Sequence, residues 1–394
     1  MFQKIINFFR KPSLMLNPKI FGVDISDYSI EIIALTGSSQ NPQLLAMGSE
    51  ILKTGIIEDN IILNKEKLKD TLKNLIKNPQ FGEIKSNKFI FSLPESRCFV
   101  HVFELPQDFK KEEELEFVES EASRTFPFLL SELYFDFIVR TKSNSREVLL
   151  VASPKNIINE YLEVFKSLKL QPIAVDIESE SLARVLIEKI EKNQAVLIVD
   201  IGAKVTNFGI FEENGLSESF SNKIGGNKFT QVLSEKLKIS LEEAENLKKE
   251  IGLNPGRKGG KVFLILQKEI QEIILEIRKI EDYFQKKEGK KITKIILAGG
   301  SSQMPRLQKY LTENLEKEVL IGDPWVKINV DILREKEHFK KGLKPDPVLY
   351  STAIGSALRG LAKNPEKIGI NLIKNIKTSR RFLELFKMGS KNKF

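Results

Sequence analysis

The chain has 394 residues, 41% hydrophobic and 29% charged, which is typical of a soluble globular protein of roughly two to four domains and excludes a mainly disordered chain. One cysteine excludes an intramolecular disulfide, and two histidines make a zinc site or histidine acid–base catalysis hard to assemble. The net charge of +9 divides into +4 on residues 1–19, +6 on residues 371–394 and −1 on the body. This placement favours an acidic membrane surface or partner over nucleic acid, whose binders carry a basic stripe on a folded face.

The first segment, residues 1–18, is basic and has an apolar stripe at helical spacing. It either lies on a membrane surface or packs on the body of the protein. No apolar run approaches the roughly 18 residues of a spanning helix, and the N-terminus lacks the features of a signal peptide. We therefore expect a cytoplasmic protein, peripheral to the inner face of the cytoplasmic membrane.

A strand–turn–strand pattern occurs twice. The apolar run at 20–25 contains Asp24 and is followed by a polar turn and a second run at 30–35, and the run at 195–201 contains Asp200 and is followed by a turn and a strand at 207–211. The two aspartates are 176 positions apart. This spacing predicts a duplicated lobe built on two hairpins.

The segment between the two hairpins has a different pattern, which predicts a small α+β domain. Its predicted strands and helices are strands at 89–93, 98–103, 134–140 and 148–152 and helices at 111–126 and 157–168. After it the sequence predicts helices at 182–190, 241–251, 261–287 and 306–315, a strand at 294–298, and loops around 143–144 and 254–260.

Asp24 and Asp200 each stand at the end of an apolar strand, just before a turn rich in small and hydroxyl residues. A carboxylate at such a place can hold the water shell of Mg²⁺, and the turn can grip phosphate oxygens. The predicted phosphate contacts come from backbone N–H groups and from Ser26, Ser29, Lys204 and Thr206. A single aspartate would more simply cap its turn, but the pair favours a phosphate clamp.

Two further features fit a nucleotide. Gly299 and Gly300, before Ser301 and Ser302, let the backbone approach a flat ring closely. Glu245 lies three residues before Lys248 on a predicted helix, where the two side chains either meet a ribose and base or form an ordinary surface ion pair.

Together these motifs resemble the actin-like ATPase superfamily and, most closely, the family of the type IV pilus assembly protein PilM. The motifs that carry the likeness are FGVDI (21–25), DIGAKVT (200–206), Gly225 with Gly226, AENLK (244–248) and LAGGSS (297–302). The stretches typical of that family rather than of actin are FPFLLSELYFD (126–136), VLLVASPK (148–155) and PIAVDIE (172–178). The similarity spans residues 20–361.

The resemblance implies an α/β fold with two ribonuclease H-like lobes, ATP between them, and an α+β insertion of the type also found in the division protein FtsA. The implied domains are a first lobe (19–86 and 169–194), the insertion (87–168), a second lobe (195–362) and a basic tail (363–394). Asp24 and Asp200 would approach Mg²⁺, and Glu245, Lys248 and the turn from Gly299 to Ser302 would hold adenosine. The phosphate set implied by the two hairpins is Ser26, Asp27, Ser29, Gly202, Ala203, Lys204, Thr206, Gly225 and Gly226. Relatives often have Asp-Ile-Gly where this chain has Ser26, so the serine either narrows the first phosphate turn or donates to phosphate.

Glu178 occupies roughly the place of the catalytic glutamate of bacterial actins, where it would orient a water at the γ-phosphate. Alternatively, it caps the helix predicted at 182–190. The resemblance implies an ATP-binding scaffold with weak or absent turnover.

Members of this family bind the cytoplasmic N-terminal peptide of the membrane protein PilN, built around Ile-Asn-Leu-Leu, in a groove beside the insertion. The expected function is therefore a scaffold of the inner-membrane platform of a type IV pilus, or of a related secretion or DNA-uptake machine. Other expected contacts are motor proteins, lipid through the terminal tails, and further copies of the chain. Residues 370–373 read Ile-Asn-Leu-Ile, so the tail either competes for that groove or contacts lipid or nothing. The alternatives are an FtsA-like membrane tether that polymerises and, on the same fold, a small-molecule kinase.

Overall fold

The computed structural model describes residues 20–106, 109–142, 145–330 and 347–374. The amphipathic segment at 1–18, the loop at 143–144 and the tail beyond 374, all singled out in the sequence, lie outside the described residues. Within these ranges the strands, in chain order, are β1 (Phe21–Ile25), β2 (Ser29–Ser38), β3 (Asn41–Ile51), β4 (Ile57–Glu58), β5 (Ile61–Ile62), β6 (Lys88–Leu93), β7 (Phe99–Leu105), β8 (Leu133–Lys142), β9 (Ser145–Pro154), β10 (Gln171–Ile177), β11 (Gln194–Ile201), β12 (Thr206–Glu212), β13 (Gly215–Asn222), β14 (Lys291–Ala298) and β15 (Glu318–Ile321).

The α-helices of the same ranges are α1 (Lys65–Lys77), α2 (Glu114–Thr125), α3 (Lys155–Ser167), α4 (Glu178–Leu186), α5 (Gly226–Leu237), α6 (Leu241–Glu250), α7 (Lys261–Glu288), α8 (Leu307–Leu315) and α9 (Ser351–Gly360). Five of the six predicted helices agree with the structure to within a few residues at each end, and α1, α5 and α9 were not predicted. The helix predicted at 182–190 is misplaced, because α4 begins at Glu178 and ends at Leu186.

Two five-stranded sheets share one topology. The first has the order β3-β2-β1-β6-β10 and the second the order β13-β12-β11-β14-β15. In each sheet the central strand, β1 or β11, pairs antiparallel with the next strand along the chain, β2 or β12. It pairs parallel with a later strand, β6 or β14. We call these sheets with their helices the first and second lobes. The predicted duplication into two lobes is confirmed.

Strand β1 is buried along its whole length, which explains its continuous apolar character. Helix α9 covers one of its faces at very short range. A Cβ atom on Gly22 would lie 2.0 Å from the carbonyl oxygen of Ala353, so glycine is required there. The same helix packs against α4, which places the start of α4 beside the end of β1.

A third sheet, ordered β7-β9-β8, forms the insertion, and α2 covers it with an apolar core that includes Val118, Ala122 and Val148. The insertion also contacts the second lobe, since Arg140 donates to the carbonyl oxygens of Asn214 and Leu216 at 2.8 and 2.6 Å.

Some elements pack outside the lobe that chain position suggests. β6 and α3 fall within the range 87–168, yet β6 lies between β1 and β10 and α3 packs on it, with Phe165 edge-on to Phe91. α9 falls within the range 195–362 but packs on the first lobe. The chain returns to that lobe at Asn329, whose backbone bonds to Pro42 and Leu44 on β3.

Candidate functional site

The two hairpins bring Asp24 and Asp200 to one place between the lobes. Each aspartate is the penultimate residue of the central strand of its sheet, Asp24 on β1 and Asp200 on β11. Asp24 stands opposite Glu31 in its hairpin and Asp200 stands opposite Asn207. The equivalent positions in duplicated lobes explain why two strand-end acids 176 residues apart converge.

Asp24 is buried and Asp200 is partly buried, and neither forms an ion pair with a cation among the described residues. Burial raises the pKa of Asp24 to about 7, and the negative charge of Asp200 adds to the shift. Burial raises the pKa of Asp200 to about 6, with a contribution from Glu95, and the pKa of Glu31 to about 8, with a contribution from Asp24. Asp24 Oδ1 is buried and has no hydrogen-bond partner among the described residues. The site is therefore built to accept a cation or a donor.

The first turn is closed by its own serine. Ser26 Oγ accepts from the backbone N–H groups of Tyr28 and Ser29, at 3.2 and 3.0 Å. The Ser26 hydroxyl is thereby committed to the turn, and Ser29 is buried behind it. Asp27 accepts from the backbone N–H groups of Asp59 and Asn60, which ties this turn to the β4–β5 hairpin.

The second turn holds the start of α5. Gly202 and Ala203 accept, through their carbonyl oxygens, from the N–H groups of Gly226 and Asn227 at 2.9 and 2.8 Å. Thr206 is buried, and its hydroxyl donates to the carbonyl oxygen of Ile224 at 2.6 Å. The residues predicted around this turn, with Gly225 as the N-cap of α5, therefore lie together at the wall of the cleft.

Lys204 reaches across the cleft from the tip of the second turn. Its Nζ lies 3.1 Å from Asp27 Oδ2 and 3.0 Å from Asp59 Oδ1, both in the first lobe. We call this group of three residues the lobe clasp. A second bridge joins the lobes deeper in the cleft, where Ser219 donates to Glu95 Oε1 at 2.6 Å.

Glu245 and Lys248 form an ion pair on the side of α6 that faces the protein. Lys248 is 7% exposed, and its Nζ donates to Glu245 Oε2 at 2.7 Å and to the Gly226 carbonyl oxygen at 3.0 Å. Because Ser301 Oγ would lie only 2.3 Å from a Cβ on Gly226, the pair also stands close to the third predicted motif. The structure thus places Glu245, Lys248, Gly226 and Ser301 in one cluster. The predicted ion pair is present, but Lys248 is buried and not at the surface.

The Gly299 turn follows β14 directly. Gly299 has a φ of +76°, and a Cβ there would lie 2.3 Å from Asp200 Oδ1, so only glycine lets this backbone pass the aspartate. A 3₁₀ turn at Gly300–Gln303 follows, and α8 begins later, at Leu307. Ser302 is buried, and its hydroxyl has no hydrogen-bond partner in the described part of the chain.

Glu178 begins α4, so the expectation that it precedes a helix at 182–190 needs correction. The helix starts earlier because one of its first amides is satisfied by another segment: the Ser179 N–H donates to Glu95 Oε2 at 3.4 Å. In return, the Glu95 N–H donates to Glu178 Oε2 at 3.2 Å. Burial, with added repulsion from Asp24 and Asp200, raises the pKa of Glu178 well above its usual value.

Glu95 is a site residue that sequence reasoning missed. It is buried just after β6, and burial raises its pKa. The signal that could have found it is the same as for Asp24, an acid just past an apolar strand, here after Pro94. Glu95, Glu178 and Asp200 line a cavity of about 10 Å³, room for about one water.

In the described ranges no three His, Cys, Asp or Glu side chains are placed to share a metal ion directly. Two aspartates at facing strand ends fit a different arrangement, in which they bind the water shell of Mg²⁺ that phosphates also coordinate. Two observations are consistent with that arrangement. Asp24 Oδ1 has no hydrogen-bond partner among the described residues, and the backbone of Gly299 passes close to Asp200.

Comparison with known proteins identifies the family. The family model "Type IV pilus assembly protein PilM" matches residues 22–361. This chain belongs to the PilM family. A solved PilM-PilN type IV pilus biogenesis complex is similar over 88% of this chain and 99% of that chain, with a TM-score of 0.73 and 20% identity.

Two other proteins are similar to this PilM-family chain. The ethanolamine utilization protein EutJ of Carboxydothermus hydrogenoformans matches 86% of this chain and 88% of its own, with a TM-score of 0.53 and 14% identity. The cell division protein FtsA of Bacillus subtilis is 27% identical over 106 residues, about a quarter of each protein. The predicted actin-like ATPase fold is confirmed. None of the helices in the described ranges has both the length and the apolar character needed to cross a membrane.

Proposed function

We propose that this PilM-family chain is an ATP-binding scaffold of the inner-membrane assembly platform of a type IV pilus or a related secretion or DNA-uptake machine. Its partner is the cytoplasmic N-terminal peptide of a PilN-like membrane protein. Family membership over residues 22–361 supports the pathway, and the PilM-PilN complex among the similar structures supports the partner.

The observation that carries nucleotide binding is the uncompensated acid pair. Asp24 is buried and Asp200 is partly buried, their pKa values are raised, and Asp24 Oδ1 has no hydrogen-bond partner in the described ranges. In this proposal they hold hydrated Mg²⁺, which would neutralise phosphate charge when bound. The two hairpin turns hold the phosphates, and the cluster of Glu245, Lys248 and Ser301 holds adenosine.

The lobe clasp gives the nucleotide a way to affect shape. Lys204 is shared between two first-lobe carboxylates, and a phosphate chain entering the cleft would compete with Asp27 and Asp59 for its ammonium group. Binding would then change how tightly the second turn is held to the first lobe. A scaffold that reports nucleotide state needs such a differential contact.

Weak turnover is consistent with the surroundings of Glu178. Burial and the negative charges of Asp24 and Asp200 raise the pKa of Glu178 well above its ordinary value, so the ligand-free site disfavours the ionised form of this carboxyl group. Its carboxyl group is also engaged by the Glu95 N–H. We therefore infer a nucleotide that serves mainly to set conformation.

The terminal segments extend the proposal to the membrane. Residues 1–19 and 371–394 together carry a charge of +10, and each cation near an anionic surface contributes about 1 kcal/mol. Peripheral attachment at the inner face of the membrane, beside the partner's spanning segment, is consistent with this charge. Motor proteins and further copies of the chain are the other proposed contacts.

Calorimetric titration of Mg-ATP into the full chain tests the nucleotide site, with Asp200→Asn as the disabling variant and Asp70→Asn, an exposed Asp-to-Asn change on α1, as its control. A fluorescent peptide with the N-terminal sequence of the PilN-like protein tests the partner. Binding of Mg-ATP to the chain and to Asp70→Asn but not to Asp200→Asn supports the site. Failure of the peptide to bind any folded, ATP-binding form of the chain, including one that ends at Ala362, would overturn the scaffold role.

A further inference from the structure

The chain after α9 lies against the body of the same molecule. A 3₁₀ turn at Pro365–Lys367 leads to residues 370–373, in which Ile370, Leu372 and Ile373 are 0%, 2% and 0% exposed. These three side chains belong to the core that also contains strands of the first lobe and α3. We call residues 365–374 the strap. The view that this motif contacts lipid or nothing is wrong.

The strap covers the outer edge of the first-lobe sheet. β10 is the last strand of that sheet, so its outer backbone groups are available to another segment. The Leu372 N–H donates to the Val175 carbonyl oxygen at 3.0 Å, and the Val175 N–H donates to Asn371 Oδ1 at 3.2 Å. The edge strand therefore binds one residue of the strap through its main chain and another through its side chain.

Asn371 of the strap also forms a hydrogen bond with the insertion. Asn371 is 1% exposed, and its N–H donates to Asp136 Oδ2 on β8 at 2.9 Å. Lys374 Nζ donates to the other oxygen of Asp136, also at 2.9 Å. The seat between β10 and β8 thus recognises a buried asparagine flanked by aliphatic side chains and followed by a cation.

The seat is also connected to the cleft. Arg359 on α9 is 2% exposed and donates to the Ile370 carbonyl oxygen at 2.6 Å, while its Nη1 lies 2.7 Å from Asp176 Oδ2. Asp176 stands two residues before Glu178, the first residue of α4. Replacing the strap with another ligand in the seat would therefore change the contacts of Arg359 with Asp176, two residues before the cleft carboxylate of Glu178.

We propose that the strap is a built-in competitor that occupies the seat of the membrane partner's peptide and must leave before that peptide binds. This inference rests on the proposed function, which supplies the partner. The seat selects an aliphatic-Asn-aliphatic-aliphatic sequence through hydrogen bonds from two domains. The family resemblance implies a partner peptide built on Ile-Asn-Leu-Leu, which would present the same groups. One seat holds one such segment, so strap release sets the apparent affinity for the partner.

The first test compares two shortened chains that differ only in residues 363–374, which contain the strap. One ends at Lys374 and keeps it, and the other ends at Ala362 and lacks it. A fluorescent peptide carrying the partner's Ile-Asn-Leu-Leu sequence should bind the second chain about tenfold or more tighter, because the seat is free in every molecule. Equal affinities would overturn the competitor role.

Point variants provide a matched pair in the full chain. Ile370 is fully buried, whereas Ile368, two residues earlier, is 46% exposed. Ile370→Asp should release the strap and tighten peptide binding, and Ile368→Asp should leave the affinity unchanged. Circular dichroism and Mg-ATP titration show whether each variant keeps its fold.

Hydrogen exchange on the unmodified chain decides the matter even where a shortened chain does not fold. The amide of Leu372 is hydrogen-bonded to β10, so it should exchange slowly, and a saturating partner peptide should accelerate its exchange. Peptide binding with unchanged exchange at Leu372 would overturn the inference and leave the proposed function standing. Failure of the peptide to bind any folded form would overturn both. Concentration-dependent dimers whose straps are exchanged between copies would overturn the intramolecular arrangement.

Discussion

Asp24 in the cleft and Asp176 at the strap seat are both buried carboxylates, but of these two only Asp176 forms ion pairs in the described ranges, with Arg184 and Arg359. At the seat, burial alone would raise the pKa of Asp176, yet Arg359 and Arg184 hold it below its ordinary value. Asp24, by contrast, meets mainly other acids in the cleft, and its pKa rises to about 7. A buried charge that is fully paired belongs to the finished fold, whereas a buried charge left uncompensated marks a place where a ligand completes the structure.

The largest expected effect comes from removing the acid at the seat. Asp176→Asn leaves Arg359 and Arg184 without their shared carboxylate, so the free energy of unfolding should fall by about 3–5 kcal/mol. Chemical denaturation measures the change, with Asp70→Asn as the exposed control. A loss no greater than that of the control would show that the seat is not held by this ion pair.

The pH dependence of stability should show the opposite character of the cleft. Asp24 has a pKa of about 7 in the fold against an ordinary value of 3.8, and Glu31 about 8 against 4.5, so the folded state keeps protons that the unfolded state has released. The ligand-free protein should therefore lose about 2–4 kcal/mol of stability as the pH rises from 5 to 8. Thermal melts across this range measure it, and saturating Mg-ATP should flatten the curve. Stability that rises with pH would contradict the uncompensated-acid description.

Removing an acid from the cleft should have the reverse effect of removing one from the seat. Asp200→Asn eliminates one member of a repelling group, so the ligand-free protein at pH 8 should gain about 2 kcal/mol of stability. The same change should weaken Mg-ATP binding about 10–100-fold, because the proposed function gives this carboxylate the role of orienting the water shell of Mg²⁺. Denaturation and calorimetry on one preparation give both numbers. A variant that is less stable and still binds Mg-ATP normally would show that Asp200, like Asp176, stabilises the fold and does not bind the ligand.

The smallest effect on stability is expected at the lobe clasp. Lys204 is 39% exposed at its side chain, so Lys204→Met should change the free energy of unfolding by less than about 1 kcal/mol. Mg-ATP affinity should nevertheless fall, since a phosphate-binding cation is lost, while the exposed Lys236→Met should change neither quantity. Unchanged Mg-ATP affinity would show that Lys204 bridges the two lobes but does not bind phosphate.

The residues around the cleft show where prediction from sequence worked and where it stopped. Asp24 and Asp200 were visible because a strand-end acid followed by a small-residue turn is a local pattern, and its repetition indicated equivalent places in two lobes. Glu95 was not visible, because its role depends on Ser219 and Ser179, which are distant in sequence. The start of α4 was misplaced for the same reason, since the Ser179 amide in its first turn is satisfied by Glu95.

The strap shows the limit more sharply. Its Ile-Asn-Leu-Ile sequence was legible as a peptide motif, but the same letters suit a free tail, a lipid contact or a buried segment. The choice depends on the exposed edge of β10, on Asp136 from the insertion and on the buried arginine of α9. Those three groups come from separate parts of the chain and meet only in the folded protein.

The sequence by itself determined the duplicated hairpins with their turns, the family and the acid pair, because each rests on short-range patterns of apolar strands, glycines and strand-end carboxylates. Only the tertiary structure decided that β6, α3 and α9 belong to the first lobe, that Lys204 joins the lobes, and that the strap occupies an edge of its own protein. Burial and pairing of charges are properties of groups that converge from distant positions, and no local pattern encodes which groups will converge.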